Sequence, residues 1–541
     1  MSTTPIKESI HVEDIKVDSA DVEAINLDKQ LGGSLLPGEG PSSEPETTRG
    51  ELWGFYTFAF AADGYLGATS SVFQPLIISA MATLGGRSTL DHTKACISAD
   101  NCEVLFGTVW VSPTSYSLYS SAVSVAVQAF VAISLGAIAD HSGYAKVYLF
   151  SFAYLCSLSV ILWIALQDPR LYYAANILNI VGNVCYGSAF VFYTSYIPKL
   201  ARNHPEVLNA STVSEKLEKL TFRTSRISIF GSASGFFGGF IQMLIAVGIL
   251  YAMNETLFSM KVATMMGGLW WALFAIPGIF LLKRRPGPPL PKGENYLFYS
   301  WKKTYQKFRY AKRLSQLFLF LLFYFFVSDS ASTILKVAVL FAQNEIHVSN
   351  ENTLMGTLVE LGCAVPGMLL WHWAQKRFKW KPKTLVFALT LLTGALPAYV
   401  LGGFSSLPGG FKSPNEWWGL CAFYGLMQPA LYAFCRALYA QLIPRGHENE
   451  MFALFSITAA GGGWIGPLIC GVIGDVAGTI RYAMIFVVAG LYLPLILLYF
   501  IDIDKGIQQA KDVLQQELGQ IQLQEQHAEN NEEFVLLSSN E

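Results

Sequence analysis

Charge is scarce in the apolar stretches of this 541-residue chain, so the few charged groups there stand out as places for chemistry. Asp63, Asp329, Lys336, Glu360 and Arg436 each fall in a run otherwise apolar enough to cross a bilayer. An ionisable side chain at that depth is costly, and it marks either a solute or proton route or a buried pair. Asp63 and Asp329 lie near the middle of the first and seventh runs. Lys336 follows Asp329 by seven residues and so shares roughly the same helix face. Glu360 reaches a similar depth to Lys336 on the next run, which makes the two a candidate pair. Arg436 lies nearer the other end of its run. A carboxyl taken out of water favours its neutral form, as proton coupling requires. The alternative is a set of gating pairs that never touch a solute. Asn176, Asn179, Asn183 and Tyr186, at steps of three and four, make one polar helix face. Such amides suit either a small polar solute or bonds to a neighbouring helix.

Positioning these groups requires membrane helices. The composition is 52% hydrophobic and 14% charged, against roughly a quarter charged in soluble domains. A helix crosses with about 20 apolar residues. Twelve spans are predicted, near 53–84, 114–139, 147–167, 171–197, 227–250, 262–282, 315–343, 353–375, 384–403, 417–443, 452–477 and 482–501. Residues 283–313, between spans 6 and 7, carry ten Lys/Arg and one acid, Glu294. Positive loops stay cytosolic, so this linker orients the chain and places both termini in the cytosol. The short cytosolic loops then hold 23 Lys/Arg, against six on the other side. The arrangement is six spans, a basic linker and six more, which is that of a solute carrier. Residues 198–226 carry mixed charge around Leu217 and Leu220 and suggest a short helix on the membrane surface. The tails, 1–49 and 502–541, are polar and acidic, and the second starts as helix. No cleavable leader is expected, so span 1 serves as the targeting signal.

Cys96 and Cys102 share the loop after span 1, where a lumenal setting permits a disulfide. The other six cysteines lie within spans and read as packing residues. Asn254, in an Asn-Glu-Thr sequon, falls on the lumenal side as a glycosylation candidate. Asn209, in a cytosolic loop, is expected to stay bare. Glu532, Leu536 and Leu537 are similar to an acidic dileucine sorting signal that would engage sorting adaptors. Catalysis is not expected, nor a cofactor or metal site: there is no phosphate loop, metal-ligand cluster or partnered nucleophile. The net charge of −2 gives no reason to expect nucleic acid as a partner.

Gly136, Asp140, Gly143 and Lys146 close span 2 in a pattern that resembles the G-x-x-x-D-R-x-G-R-K loop of the major facilitator superfamily, with His141 in place of the usual Arg. The glycine lets helices approach, and the aspartate can cap a neighbouring helix N-terminus. Spans 5 and 11 are matched in the two halves and both glycine-rich, at Gly231, Gly235, Gly238 and Gly239 and at Gly462, Gly466 and Gly471, a spacing for close packing. Pro467 adds a place to bend. This pattern resembles a glycine–proline motif of some facilitator antiporters.

Four further patches, spread over residues 50–500, resemble the autophagy-related vacuolar effluxers. They are Glu51-Leu52-Trp53-Gly54-Phe55-Tyr56, Ser195-Tyr196-Ile197-Pro198-Lys199-Leu200-Ala201, Phe323-Tyr324-Phe325-Phe326-Val327-Ser328-Asp329-Ser330 and Ile443-Pro444-Arg445-Gly446-His447-Glu448-Asn449-Glu450. The resemblance implies a multi-pass protein of the fungal vacuolar membrane that returns amino acids such as leucine to the cytosol.

The expected architecture is an all-α integral membrane protein of twelve transmembrane helices in two six-helix pseudo-repeats. The bundles are 50–282 and 314–501, around linker 283–313. Alternating access would move neutral amino acids out of the vacuole with protons running the same way through Asp63, Asp329 or Glu360. Lys336 and Arg436 would meet the substrate carboxylate. An acid and the Asn176, Asn179 and Asn183 face would meet its ammonium. A lysophospholipid-like amphiphile carrier and a non-transporting sensor or scaffold are the rival readings. Membrane lipid is the surrounding partner in every case.

Overall fold

The computed structural model describes residues 44–89, 91–96, 102–111, 144–254, 256–285, 313–344, 346–348, 350–405, 409–462 and 480–516, with scattered positions in 113–135 and 465–473. Among these residues, seven helices are long and apolar enough to cross a membrane. Of the other five expected spans, 2 and 11 lie largely outside the described residues. Gly136, Asp140 and Gly143 of the span 2 loop lie outside the described residues. So do Glu532, Leu536 and Leu537, the first 43 residues and linker residues 286–312.

Span 1 opens at Arg49–Gly64, capped by the Thr48 hydroxyl accepting from the Glu51 amide at 3.3 Å. It continues through a π-helical stretch, Tyr65–Phe73, into Gln74–Gly85. π-Helical turns relax the i→i−4 ladder and recur at functional sites, and this one begins two residues after Asp63. Span 4 is Tyr172–Arg202, with Pro198 inside its last turn. Spans 7, 8, 9 and 10 are Ser315–Asn344, Asn350–Phe378, Pro382–Leu401 and Glu416–Leu442. Span 11 is described mainly as Glu448–Gly462. Spans 6 and 12 each break where a proline lacks the N–H to continue the ladder, giving Leu257–Phe274 with Ile276–Leu281 and Ala483–Tyr492 with Pro494–Phe500.

Two features differ from the sequence reading. The surface helix expected in 198–226 is no separate element. Its later part is fused to span 5 as one 40-residue helix, Val213–Ala252. At 1.5 Å per residue this runs for about 60 Å, roughly twice a bilayer core. Thr212 caps it by accepting from the Glu215 amide, and Glu215 accepts from the Ser211 amide in turn, so the charged extension starts where helix is well nucleated. Second, the loop after span 1 is an antiparallel sheet of β1 (Arg87–Ser88), β2 (Cys102–Phe106) and β3 (Val109–Val111), in the order β1-β2-β3. Cys96 and Cys102 are disulfide-bonded beside it. The C-terminal tail starts as helix, as expected: residues 503–516 form one that docks on the start of span 7. Gln509 bonds Ser315 at 2.9 Å and the Gln316 amide at 3.2 Å.

The glycines of spans 5 and 11 explain how the two halves are built alike. A Cβ on Gly235 would overlap the Asp63 carboxylate, and one on Gly238 would overlap the Phe60 carbonyl. Span 5 can therefore lie directly against span 1. In the second half, a Cβ on Gly466 would overlap the Thr333 hydroxyl and approach the Asp329 carboxylate. Each half thus seats a small residue against its own mid-span acid.

Candidate functional site

The site is assembled where spans 1, 4 and 5 of the first half meet span 10 of the second. Phe55 stacks on Tyr193 at 4.2 Å and Tyr65 on Trp271 at 5.5 Å. These rings wedge span 1 so that Asp63, between them in sequence, reaches inward. Tyr186 donates to Asp63 Oδ1 at 3.4 Å. Asp63 and Arg436 line one cavity of about 320 Å³, together with Phe190 and Tyr193 of span 4, Ser228 and Ser232 of span 5, and neighbouring small or apolar residues. Arg436 comes from span 10, in the other half. Its guanidinium donates to Ser232 Oγ and lies 5.5 Å from the Phe190 ring centroid, while its Nε has no hydrogen-bond partner among the described residues. An acid and a base from opposite halves thus face one enclosed space, and the base keeps a donor in reserve. Oppositely charged groups on one polar cavity are what a zwitterion needs.

The other expected residues are dispersed. Asp329, buried in span 7, accepts the Gly466 amide at 3.1 Å. Glu360 is buried against span 10, and its Oε2 has no hydrogen-bond partner among the described residues. Lys336 sits on the described backbone of span 7, but its side chain lies outside the described residues, and so does its expected contact with Glu360. The asparagine face is engaged between helices. Asn176 donates to Tyr116 at 3.1 Å and Asn179 to Ser120 at 3.0 Å, both of span 2. Asn183 donates to Asn179 at 3.1 Å and accepts from Ser70 of span 1 at 2.9 Å. None of the three lines the cavity. Of the span 2 loop motif, Lys146 is described, and its Nζ donates to the Leu282 carbonyl at 2.5 Å, tying the start of span 3 to the end of span 6. Asn254 is exposed in the turn between spans 5 and 6.

At the end of the bundle where span 4 finishes and span 11 begins, the halves are latched by groups that were not singled out as a site. Glu448, 1% exposed, pairs with Arg202 at 2.5 Å and Lys199 at 3.8 Å. Burial pulls the Glu448 carboxyl up, but Arg202 and then Lys199 outweigh it and hold it well below the usual range. Ser228 donates to the Ala433 carbonyl at 2.8 Å and closes the seam further. Within the first half, buried Glu51 accepts from Arg285 at 3.0 Å, and Thr47 accepts from the same guanidinium at 3.0 Å. Three of the four sequence patches therefore meet at this end of the bundle: that of Glu51, that of Lys199 and that of Glu448.

A family model described as "Vacuole effluxer Atg22 like" matches residues 47–511. The chain belongs to this family. It is 28% identical to Autophagy-related protein 22 of Gibberella zeae, covering 90% of this chain and 84% of that protein. It is 29% identical to Autophagy-related protein 22 of Neurospora crassa, covering 89% and 75% respectively. Solved structures give the fold. The proton:xylose symporter XylE, of the major facilitator superfamily, matches with a TM-score of 0.58 at 12% identity, covering 86% of this chain and 99% of that one. The superfamily transporter FucP in its outward conformation matches with a TM-score of 0.56 at 12% identity, covering 83% and 98%. The effluxer-family chain is thus an all-α, multi-pass membrane protein of the major facilitator fold, as the span pattern and the span 2 loop imply. Its cavity lies between the two halves of that fold.

The residues missed in sequence were Tyr193, Ser228 and Ser232 around the cavity and the latch at Glu448. The hydroxyls carry no signal in an apolar run. The latch had one: two bases end span 4, and an acid opens span 11.

Proposed function

We propose that this effluxer-family protein carries neutral amino acids from the vacuole lumen to the cytosol by alternating access, with protons moving the same way. The ammonium of the substrate meets Asp63, and its carboxylate meets Arg436. The observation that carries this reading is the pairing of one acid and one base from opposite halves across a single cavity. A bound zwitterion would draw the halves together from both sides, linking occupancy to closure. The vacuole as location, with both termini cytosolic, is supported by the family description and by the charge bias of the loops.

The test is uptake of radiolabelled leucine by liposomes holding the purified protein. Saturable flux that falls about tenfold or more in both Asp63→Asn and Arg436→Gln proteins is expected, since each loses a charge-assisted contact. Wild-type flux in both variants would refute the assignment. Radiolabelled lysophospholipid supplied in place of leucine tests the amphiphile reading.

A further inference from the structure

The three mid-membrane acids differ in what surrounds them. Asp63 has Tyr186 and shares its cavity with Arg436. Asp329 accepts a backbone amide. Glu360 is 7% exposed, and its Oε2 has no hydrogen-bond partner among the described residues. It sits ten residues into the Asn350–Phe378 helix, about 15 Å along it and so near mid-bilayer. From these surroundings we propose that Glu360 carries the coupling proton, at a place separate from the substrate cavity. This inference rests on the transport reading above.

The packing gives the reason. Span 10 covers one side of Glu360: a Cβ on Gly425 would overlap the Glu360 carbonyl. The titratable groups nearest on that side are Cys421 and Tyr424, neither of them cationic. Tyr424 spends its hydroxyl on the Ala331 carbonyl at 2.9 Å. On its own helix the nearby titratable group is Cys363. On the other side, Leu361 joins an apolar cluster with Met243 of span 5, and a Cβ on Gly362 would lie 3.5 Å from the Phe240 ring of span 5. Lys336 of span 7 lies at comparable helix depth, with its side chain outside the described residues.

Glu360 is therefore sealed where the two halves meet along spans 5 and 8. Sealing an ionised carboxylate here is costly, whereas sealing a neutral acid is not. Glu360 takes a proton from hydronium when open to the acidic lumen, keeps it while the loaded carrier is sealed, and gives it to water when open to the cytosol. The empty carrier then returns with Glu360 ionised, and that costlier sealing is the slow step of the cycle. No bond of the substrate changes. Because the seam itself opens and shuts in alternating access, the proton is coupled to the conformational change without competing for the substrate cavity.

Two readouts test this. In liposomes, Glu360→Gln protein should keep leucine exchange at equal pH on both sides and lose the acceleration produced by a pH gradient. Spin labels on Leu217→Cys and Phe378→Cys, both exposed at the cytosolic ends of spans 5 and 8, report the opening of the seam without any substrate. The wild-type distance distribution should shift with pH, and that of the Glu360→Gln protein should not. Lys336→Met separates the roles, because a structural ion pair would lose exchange alongside the gradient effect in both variants. Persistence of gradient-driven flux, or of the pH-dependent distance, in folded Glu360→Gln protein overturns the proposal. So does loss of exchange in that variant. If the wild type exchanges no leucine, the amino-acid reading fails, and the distance measurement alone decides the role of Glu360.

Discussion

Removing the cytosolic latch should open the protein toward the cytosol. Glu448→Gln deletes a carboxylate that is 1% exposed and leaves Arg202 and Lys199, with side chains 15% and 9% exposed, facing each other without their counter-ion. Breaking a buried pair in this way costs about 3–5 kcal/mol, because the surviving charges stay desolvated. At about 1.4 kcal/mol per decade, that moves the balance between closed and open cytosolic mouths by roughly a hundred-fold to several thousand-fold. Ser228 lies under this mouth and lines the cavity, so a Ser228→Cys reporter should react slowly with a membrane-impermeant maleimide from the cytosolic side and much faster once Glu448 is neutralised. Exchanging the charges, with Arg202→Glu and Glu448→Arg together, should slow the reaction again, which a misfolded protein would not do. Unchanged labelling in Glu448→Gln protein would refute the latch. The pH dependence has a definite sign. Glu448 is held below its ordinary value of 4.5, so its contribution is complete above that pH and is lost only as pH falls further. In a Glu360→Gln background, the ratio of the labelling rates of the Glu448→Gln protein and its parent, in which the pH dependence of the thiol cancels, should therefore be the same between about pH 5 and pH 8. Any pH sensitivity of transport in that window must come from elsewhere, and Glu360 is where we place it.

Two further outcomes follow from the packing and the topology. Gly235→Val puts a branched side chain onto the Asp63 carboxylate, an overpacking of about 1–3 kcal/mol. It should lower the thermal midpoint of the purified protein and abolish leucine flux, whereas Gly248→Val, with open space around its Cβ position, should do neither. Expressed in its native cells, the protein should lose one glycan-sized increment of mass on Asn254→Gln and none on Asn209→Gln. A shift at Asn209 would invert the assignment of sides.

The spans, the basic linker and the matched glycines were legible because they are local properties: apolar run length, charge count and residue size. The positions of Asp63, Asp329 and Glu360 were legible for the same reason, since each is one acid within a counted run. Their differences were not. Asp63 owes its role to Arg436 and Asp329 part of its satisfaction to Gly466, partners more than a hundred residues away in sequence. Glu360 owes its character to a missing partner, which no local pattern can reveal. The latch shows the same limit, because Arg202 and Glu448 are 246 residues apart and become neighbours only when spans 4 and 11 pack. The asparagines show the opposite case. Their spacing correctly marked one polar face, but a polar face in a membrane is satisfied equally well by a solute or by another helix, and Tyr116, Ser120 and Ser70 supply the helix contacts. The useful question for a buried polar group in such a chain is therefore which half supplies its partner. A partner from the same half holds a bundle together, as with the asparagines and Asp329. A partner from the other half senses the distance between bundles, as with Asp63 and Glu448. A carboxyl with none, sealed at the seam, makes that distance depend on a proton.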